Sequence, residues 1–371
     1  MSRLTAIMLY CFLWIALTAP HFDFIMKSEN DGGGNMKRIV VAGNSLVDLV
    51  KKIDTYPSKG MLAKIRSVKL GVGGCVPNTG ITLKTLAANE ADVLAVSRVG
   101  TDEYGKYIVR TLNERGVDTS GIVYDRENPT SFTDVMTLPN GERTFFCATA
   151  ANDAFCIEDA EIENLNADIF HIGYLLLLKS LDEEDSEYGT KMARLLSAVQ
   201  AKGIRTSIDV VSEEGNRFSK VVTPTLQYCD YAVVNEIEAA RITGVELRGS
   251  DAPYTERFRA ACESLMRLGV RRAAVIHCPE FGCACDERGN FAFVPSLRLP
   301  QGYIAGAVGA GDAFCAGMLF SFSQGCSLQE GLRLASCAAA CNLNSADSIG
   351  GARGLDETLA LEKKFGRIGI K

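Results

Sequence analysis

From residue 38 onward, short apolar runs rich in Val and Ile alternate with longer stretches whose apolar positions recur every three or four residues. Segments 38–43, 91–97, 167–173, 205–211, 231–235 and 273–277 are nearly continuous apolar runs, which predicts strands buried on both faces. Segments 104–115, 188–201, 237–243 and 256–268 carry the helical period. Strand and helix in alternation predict an α/β fold, a mainly parallel central sheet covered by helices on both faces. In such a fold the ligand lies beyond the carboxyl ends of the strands. Segments 51–70 and 130–148 break the alternation: they are more polar and β-like, and the second contains Asn140-Gly141, a strong hairpin signal. They predict a small β lid standing off the main layers.

Residues 1–35 do not belong to this pattern. Arg3 precedes an apolar run from Ala6 to Ala19, ended by Pro20, and three glycines after Asp31 lead to Met36, where a strand begins at once. A charged start and a run of this length fit a leader for export, and the run is too short to span a bilayer. The expectation is instead an upstream extension with Met36 as the working start, because the 13 cysteines are odd in number and scattered through apolar segments. Cysteines so placed read as reduced thiols and a cytoplasmic protein. Cys278, Cys283 and Cys285 beside His277 suggest a metal site, but no second pair exists and a hairpin around Gly282 accounts for the segment.

With 371 residues, 47% of them hydrophobic, the chain can bury a large core. A net charge of −6 without a dense basic run excludes a general nucleic-acid binder. It leaves small phosphorylated ligands open, since local amides hold them whatever the global charge.

One stretch concentrates the chemistry, AVGAGDAFCAGML over 307–319. Small residues at Gly309, Ala310 and Gly311 let the backbone turn tightly, and a helix starting there aims unpaired amides at one point. That is a cup for an anion, with the carboxylate of Asp312 on its rim. A capping acid at an ordinary helix start is the plainer reading, and three further patches argue against it. These are VGGCVPNTG over 72–80, GNSLVDLV over 43–50 and VVNEIEAARITG over 233–244.

In these four patches and their order the sequence resembles the PfkB, or ribokinase-like, family of carbohydrate and nucleoside kinases over residues 36–352. The resemblance implies a ribokinase-like three-layer α/β/α sandwich with a small β lid, so that residues 36–371 form one kinase domain. It implies Asp312 as the base that takes the acceptor hydroxyl's proton, with Gly309, Ala310 and Gly311 as the anion hole. Phosphoryl transfer asks mainly for positioning and charge stabilisation, so such a set suffices. Acceptor contacts implied are Asp48, at the end of the first strand, Gly73, Gly74, Asn78 and, from AAND at 150–153, Asn152. Glu238 would organise Mg²⁺, while Asn235, Gly282 and Gly311 would serve the nucleotide, with ATP as phosphoryl donor. His171, inside an apolar strand, is expected to be a satisfied core residue.

The sequence departs from that family in three places. Gly306 stands where relatives carry an acid that helps hold a monovalent cation, which puts K⁺ activation in doubt. His277 and Pro279 replace a Thr and a Gly on the nucleotide side, and Thr149 replaces an Arg, which argues against an acceptor bearing its own phosphate or carboxylate. The expected function is ATP-dependent phosphorylation of a hydroxymethyl group on a small neutral sugar or polyol. The alternatives are a nucleoside kinase, with Phe132, Phe145 and Phe146 of the lid stacking the base, or a sugar sensor without turnover. An NAD-dependent dehydrogenase is excluded because no GxGxxG turn follows the first strand. No membrane partner is expected for the mature domain, and the lid edge offers a contact for a homodimer.

Overall fold

The structure, a computed structural model, describes residues 36–249 and 254–369; the extension expected over 1–35 lies outside them. The chain runs β1 (Lys37–Gly43), β2 (Leu46–Ile53), β3 (Ile65–Gly73), α1 (Cys75–Ala87), β4 (Ala91–Gly100), α2 (Glu103–Glu114), β5 (Asp118–Asp125), β6 (Phe132–Thr137), β7 (Arg143–Ala148) and α3 (Ala150–Ala154). It continues through β8 (Ile169–Leu175), α4 (Lys179–Asp182), β9 (Glu184–Asp185), β10 (Gly189–Thr190), α5 (Lys191–Ala201), β11 (Arg205–Val210), α6 (Phe218–Leu226), β12 (Tyr231–Asn235) and α7 (Glu236–Thr243). Last come α8 (Tyr254–Leu268), β13 (Ala273–His277), β14 (Phe281–Asp286), β15 (Phe291–Pro295), α9 (Ala310–Ser323), α10 (Leu328–Leu343) and α11 (Leu355–Phe365).

The central sheet has the order β15-β14-β13-β12-β11-β8-β1-β4-β5. From β13 to β5 every pairing is parallel, while β14 and β15 add an antiparallel edge. The apolar runs are strands because both faces are covered: Ile39, Val40, Val41 and Ala42 are all fully buried. One helical layer packs Leu195, Leu196, Val222 and Phe258 against Phe170, Ile172 and Ile208 of the sheet. Helix α9 is apolar all round and buried from Asp312 to Ser323, as a helix enclosed by other layers must be. Its last turn stacks Phe322 on Tyr231 of β12 at 4.1 Å.

From β1 the chain builds outward through β4 and β5, then returns to build the other side through β8, β11, β12 and β13. The reversal between β1 and β8 opens a crevice at their carboxyl ends, the general location of ligands in such sheets.

A second sheet, ordered β3-β2-β6-β7, is the lid. It is wider than expected: its first strand starts at Leu46, and β2 and β3 bracket the segment taken for lid. Asp48 therefore does not end the first strand but lies within β2, paired with Gly71 of β3 and Thr133 of β6. The cause is Gly43, at φ 123°, a value that L side chains avoid. It ends β1 and lets Asn44 and Ser45 carry the chain into the lid. The helix expected from 188 begins at Lys191, because Gly189 and Thr190 pair with Glu184 and Asp185 first, and the Thr190 hydroxyl then caps it by accepting from the Ala193 amide at 3.1 Å.

One buried ion network ties β4 to the segments that follow. The Arg98 guanidinium donates to Asp159 through Nε and Nη2, both at 2.9 Å, and to Asp125 through Nη1 at 3.0 Å. Both carboxylates are almost wholly buried. Removing the cation strands two buried charges, so Arg98→Ala is expected to lower unfolding free energy by about 3–5 kcal/mol, read as a drop in urea midpoint. A change below about 1 kcal/mol would show that the network contributes no more than a surface pair.

Candidate active site

Strand ends deliver the crevice wall. Tyr174 of β8, Asp209 of β11, Asn235 of β12 and His277 of β13 meet Gly309, Gly311 and Asp312 from the start of α9, with Ser212, Glu238 and Cys315 alongside. Each strand ends at a similar level because parallel pairing keeps them in register.

Asp312 sits at the centre, 6% exposed. Its Oδ2 accepts from Asn78 Nδ2 and from the Tyr174 hydroxyl, both at 3.0 Å, and Oδ1 accepts from Thr79 Oγ1 at 3.4 Å. Burial and then the nearby charge of Asp209 push its carboxyl up to about 7, against the pull of those hydrogen bonds. A carboxylate so poised changes hands with a proton near neutrality, the property of a general base. Tyr174 is held at φ 62°, an uncommon conformation for a non-glycine residue. Its amide donates to Asp209 Oδ1 at 2.6 Å while its hydroxyl reaches Asp312. Backbone strain kept in place by two hydrogen bonds concentrates at functional sites.

The amide cup is formed at Gly309, in the left-handed region at φ 80°. No side chain caps α9, and the first amide to bond back is that of Ala313, to the Gly309 carbonyl at 2.9 Å. Gly309 and Gly311 line the crevice, whereas Ala310 does not, and its amide makes a long 3.4 Å bond to the Ala307 carbonyl.

Between α1, the β1–β2 crossing and α3 lies a second polar group. Asn78 Oδ1, Asn44 Oδ1, Ser45 Oγ and Asn152 Nδ2 are buried and find no hydrogen-bond partner among the described residues. They are neighbours: the Ser45 amide donates to Asn152 Oδ1 at 3.1 Å, Asn44 Oδ1 lies against Gly74, and Asp48 against Gly73. Unsatisfied buried polar atoms are rare and call for an explanation. Burial raises the Asp48 carboxyl to about 6, with Arg143 of the lid pulling the other way. Asp48 lies against Gly73 and Asn78 donates to Asp312, so the β3–α1 junction carries a neighbour of each carboxylate.

Comparison with known sequences decides the family. The chain matches the pfkB family carbohydrate kinase profile over residues 36–352. It is a PfkB-family carbohydrate kinase. Arabidopsis thaliana has a protein named Probable fructokinase-7, 25% identical over 80% of this chain and 84% of its own length, and a ribokinase, 24% identical over 81% and 74%. Among solved structures, Arabidopsis thaliana ribokinase complexed with ribose and ATP superposes with TM-score 0.73 at 21% identity, covering 88% of this chain and 99% of that one. A fructokinase with bound ATP from Xylella fastidiosa gives 0.68 at 21% identity, covering 89% and 99%. The fold is ribokinase-like.

In the crevice of this PfkB kinase, Glu238 is nearly buried and accepts from Ser212 Oγ at 2.8 Å, from Asn235 Nδ2 at 2.7 Å and from the Asn235 amide at 2.9 Å. Burial raises it to about 8. Asn235 caps α7, its Oδ1 accepting from the Ile237 and Glu238 amides, so all its polar atoms are already engaged. Gly282 is not brought to the crevice: it faces inward in β14, where a side chain would meet the Phe314 ring. His277 is, and burial lowers its imidazole to about 4, so it lines the wall as a neutral ring. The cysteines near it do not join it. Cys283 faces Cys262, with their sulfurs 3.8 Å apart, and Cys278 bonds the Phe281 carbonyl.

Sequence reasoning missed Asn44, Ser45, Tyr174, Asp209 and Ser212 in this PfkB kinase. Asn44 and Ser45 stood in the quoted GNSLVD, two polar residues directly after a buried strand, which was the available signal. Asp209 was legible as an acid at the end of an apolar run. Tyr174 carried no signal, since its role depends on a backbone angle. Among the described residues, no helix is long and apolar enough to cross a membrane.

Proposed function

We propose that this kinase transfers the γ-phosphoryl group of ATP to a hydroxymethyl group of a small neutral sugar or polyol, with Asp312 as general base. The observation that carries the reading is the orphaned polar set of Asn44, Ser45, Asn78 and Asn152, one of which, Asn78, also donates to Asp312. A polyol supplies donors and acceptors at short spacing and satisfies such atoms together. Asp48, as an acceptor without a described side-chain partner, clamps further hydroxyls. A site built this way rejects ligands that lack the matching group.

The acceptor lies between the lid and α1, its reacting hydroxyl at Asp312. Asp312 takes the proton, and the Gly309 and Gly311 backbone offers donors where negative charge builds on the transferring group. ATP as donor is supported by the ATP-bound ribokinase and fructokinase structures of the same fold. Glu238 and Ser212 offer hard oxygen donors in the crevice, which fits Mg²⁺. Glu238 would hold it, largely through waters, and its charge would offset that of the phosphate oxygens. Gly306 brings no carboxylate, and its backbone packs against the Ser345 carbonyl, so K⁺ activation is not expected. The lid leaves Ile65, Val68, Leu70, Phe145 and Phe146 exposed, and a second copy pairing there gives a homodimer.

ADP release across a panel of sugars, polyols and nucleosides tests the reading. Turnover with sugars or polyols supports it; turnover only with nucleosides moves the acceptor class; binding without ADP release points to a sensor.

Tyr174 supplies a finer check. Its hydroxyl stabilises the ionised Asp312, so Tyr174→Phe raises the carboxyl further. The acid limb of kcat/KM is expected to move to higher pH by roughly one unit. A limb left in place would remove Tyr174 from the base's environment.

A further inference from the structure

Beside Asp312 lies a buried group that phosphoryl transfer does not use. Cys75 opens α1, His171 lies within β8, Asp209 ends β11 and Cys315 is one turn into α9. Cys75 and His171 are wholly buried, Cys315 nearly so, and Asp209 is 8% exposed. His171 Nε2 stands 3.3 Å from Asp209 Oδ2, 3.7 Å from Cys75 Sγ and 3.8 Å from Cys315 Sγ, and Cys75 Sγ is 4.0 Å from the same Asp209 oxygen.

Two ordinary explanations fail on this geometry. A Cys–His–Asp catalytic triad needs the acid and the thiol on opposite imidazole nitrogens, whereas both face Nε2 here. Simple apolar packing of thiols does not account for a carboxylate and an imidazole brought to the same point. The ligand atoms of Cys75, His171 and Asp209 instead all lie within 4.8 Å of one another, with Cys315 outside that group. That is close to a coordination shell, in which sulfur, nitrogen and oxygen ligands held at about 2.0–2.3 Å from one ion stand about 3.3–3.8 Å from each other.

The outer contacts are also those of a metal centre. The other imidazole nitrogen, Nδ1, is 3.1 Å from Ser207 Oγ, a partner that orients the ring and leaves Nε2 as the donor. The remaining oxygen of Asp209 accepts from the Tyr174 amide at 2.6 Å, which turns Oδ2 toward the cluster. Ligands fixed by such second contacts are the mark of a prepared site. Space for the sulfur exists because residue 173 is glycine: a Cβ there would overlap Cys75 Sγ and Asp209 Oδ1. Asp209 and Cys315 both border the crevice, which provides a route in.

A second acidic and thiol group, Glu236, Cys278 and Glu280, lacks these features. Its two carboxylates are half-exposed and already paired with Arg248.

We propose that Cys75, His171 and Asp209 form a site for a borderline-soft divalent ion of the zinc class, separate from the Mg²⁺ that accompanies a nucleotide. A thiolate and an imidazole select such an ion over Mg²⁺, which prefers oxygen alone. On entry the Cys75 thiol gives its proton to solvent, lone pairs from sulfur, Nε2 and Oδ2 bind the ion, and a water takes the fourth position. The ion links β8 and β11 to the first turn of α1, the element that holds Asn78.

The test is titration of the intact, reduced protein with Co²⁺ under anaerobic conditions, then displacement by Zn²⁺. One equivalent is expected to give the intense visible bands of tetrahedral cobalt and a sulfur-to-cobalt charge-transfer band, both removed by Zn²⁺. Cys75→Ser should abolish or strongly weaken the charge-transfer band. Cys262→Ser, in the separate thiol cluster, should leave it unchanged. Ser207→Ala should weaken metal affinity by about 10–100-fold while the tetrahedral spectrum persists at saturation. Independently of any variant, Zn²⁺ should protect Cys75 of the unaltered protein from alkylation, mapped by mass spectrometry. Weak octahedral cobalt bands, loss of signal in Cys262→Ser, or Cys75 alkylated at the same rate with and without Zn²⁺ each overturn the proposal. These readouts involve neither sugar nor ATP, so they stand or fall apart from the proposed reaction.

Discussion

Asp312→Ala is expected to lower turnover by about 10²–10⁴, with little change in the binding of the acceptor. The group removed is the carboxylate on which Asn78, Thr79 and Tyr174 converge. The wild-type acid limb of kcat/KM should have its midpoint near the value to which burial and Asp209 push Asp312, about 7; residual activity of the variant should lose that limb. Stability should respond in the opposite sense. The folded-state value lies above the ordinary 3.8, so the proton that Asp312 retains favours the folded form below about pH 4. That advantage fades as pH rises through about 7. The three-unit displacement sets an upper bound of about 4 kcal/mol. Above neutrality the variant should accordingly be as stable as the wild type or more so, by urea midpoint, despite its inactivity. Near-normal turnover, or a loss of activity that tracks a loss of folded protein, would remove Asp312 from the base's role.

Gly309→Ala is expected to cost about 10² in kcat while the chain stays folded. Two separate effects act at this position. Its φ of 80° is a left-handed conformation that disfavours an L side chain by about 1–2 kcal/mol. A Cβ there would also come within 2.6 Å of the Ser348 carbonyl oxygen and 3.0 Å of Ser348 Cα. These are backbone atoms, so α9 must shift, and Ser348 is itself tied to the lid through its hydroxyl, which donates to the Val72 carbonyl at 3.1 Å. A displaced helix start moves the amides and Asp312 together. The pH dependence should keep its acid limb because the carboxylate remains, which separates this variant from Asp312→Ala. Measuring kcat and the limb on both variants distinguishes a displaced cup from a missing base. Full activity in Gly309→Ala would mean that the cup tolerates movement and contributes little to the rate.

The six apolar runs were legible as strands because a strand buried on both faces must be apolar at every position. Their observed bounds differ by a few residues at most. Of the antiparallel edge only a hairpin around Gly282 was legible: Phe281–Asp286 mixes Cys, Gly and Ala and carries no clear strand period. Asp48 was placed in the wrong strand because Leu46–Ile53 continues the apolar character of β1, and only the backbone angle at Gly43 shows where the chain turns away. Gly282 looked like nucleotide-loop chemistry and is a packing residue, since a glycine's neighbours are invisible in sequence.

By itself, the sequence determined the layered α/β architecture and the family and singled out Asp312, Asn78, Asp48 and Glu238 as candidates, because periodicity and local motif chemistry are properties of neighbouring residues. Only the tertiary structure decided that Asn78 and Tyr174 share one oxygen of Asp312. Only it showed that four polar side chains from the β1–β2 crossing, α1 and α3 await partners, and that Cys75, His171 and Asp209 meet at one point. Such encounters join residues up to 234 positions apart, a separation that appears in the sequence as nothing at all. They are set by the register of parallel strands and by the backbone angles at their ends, which fix where each side chain points.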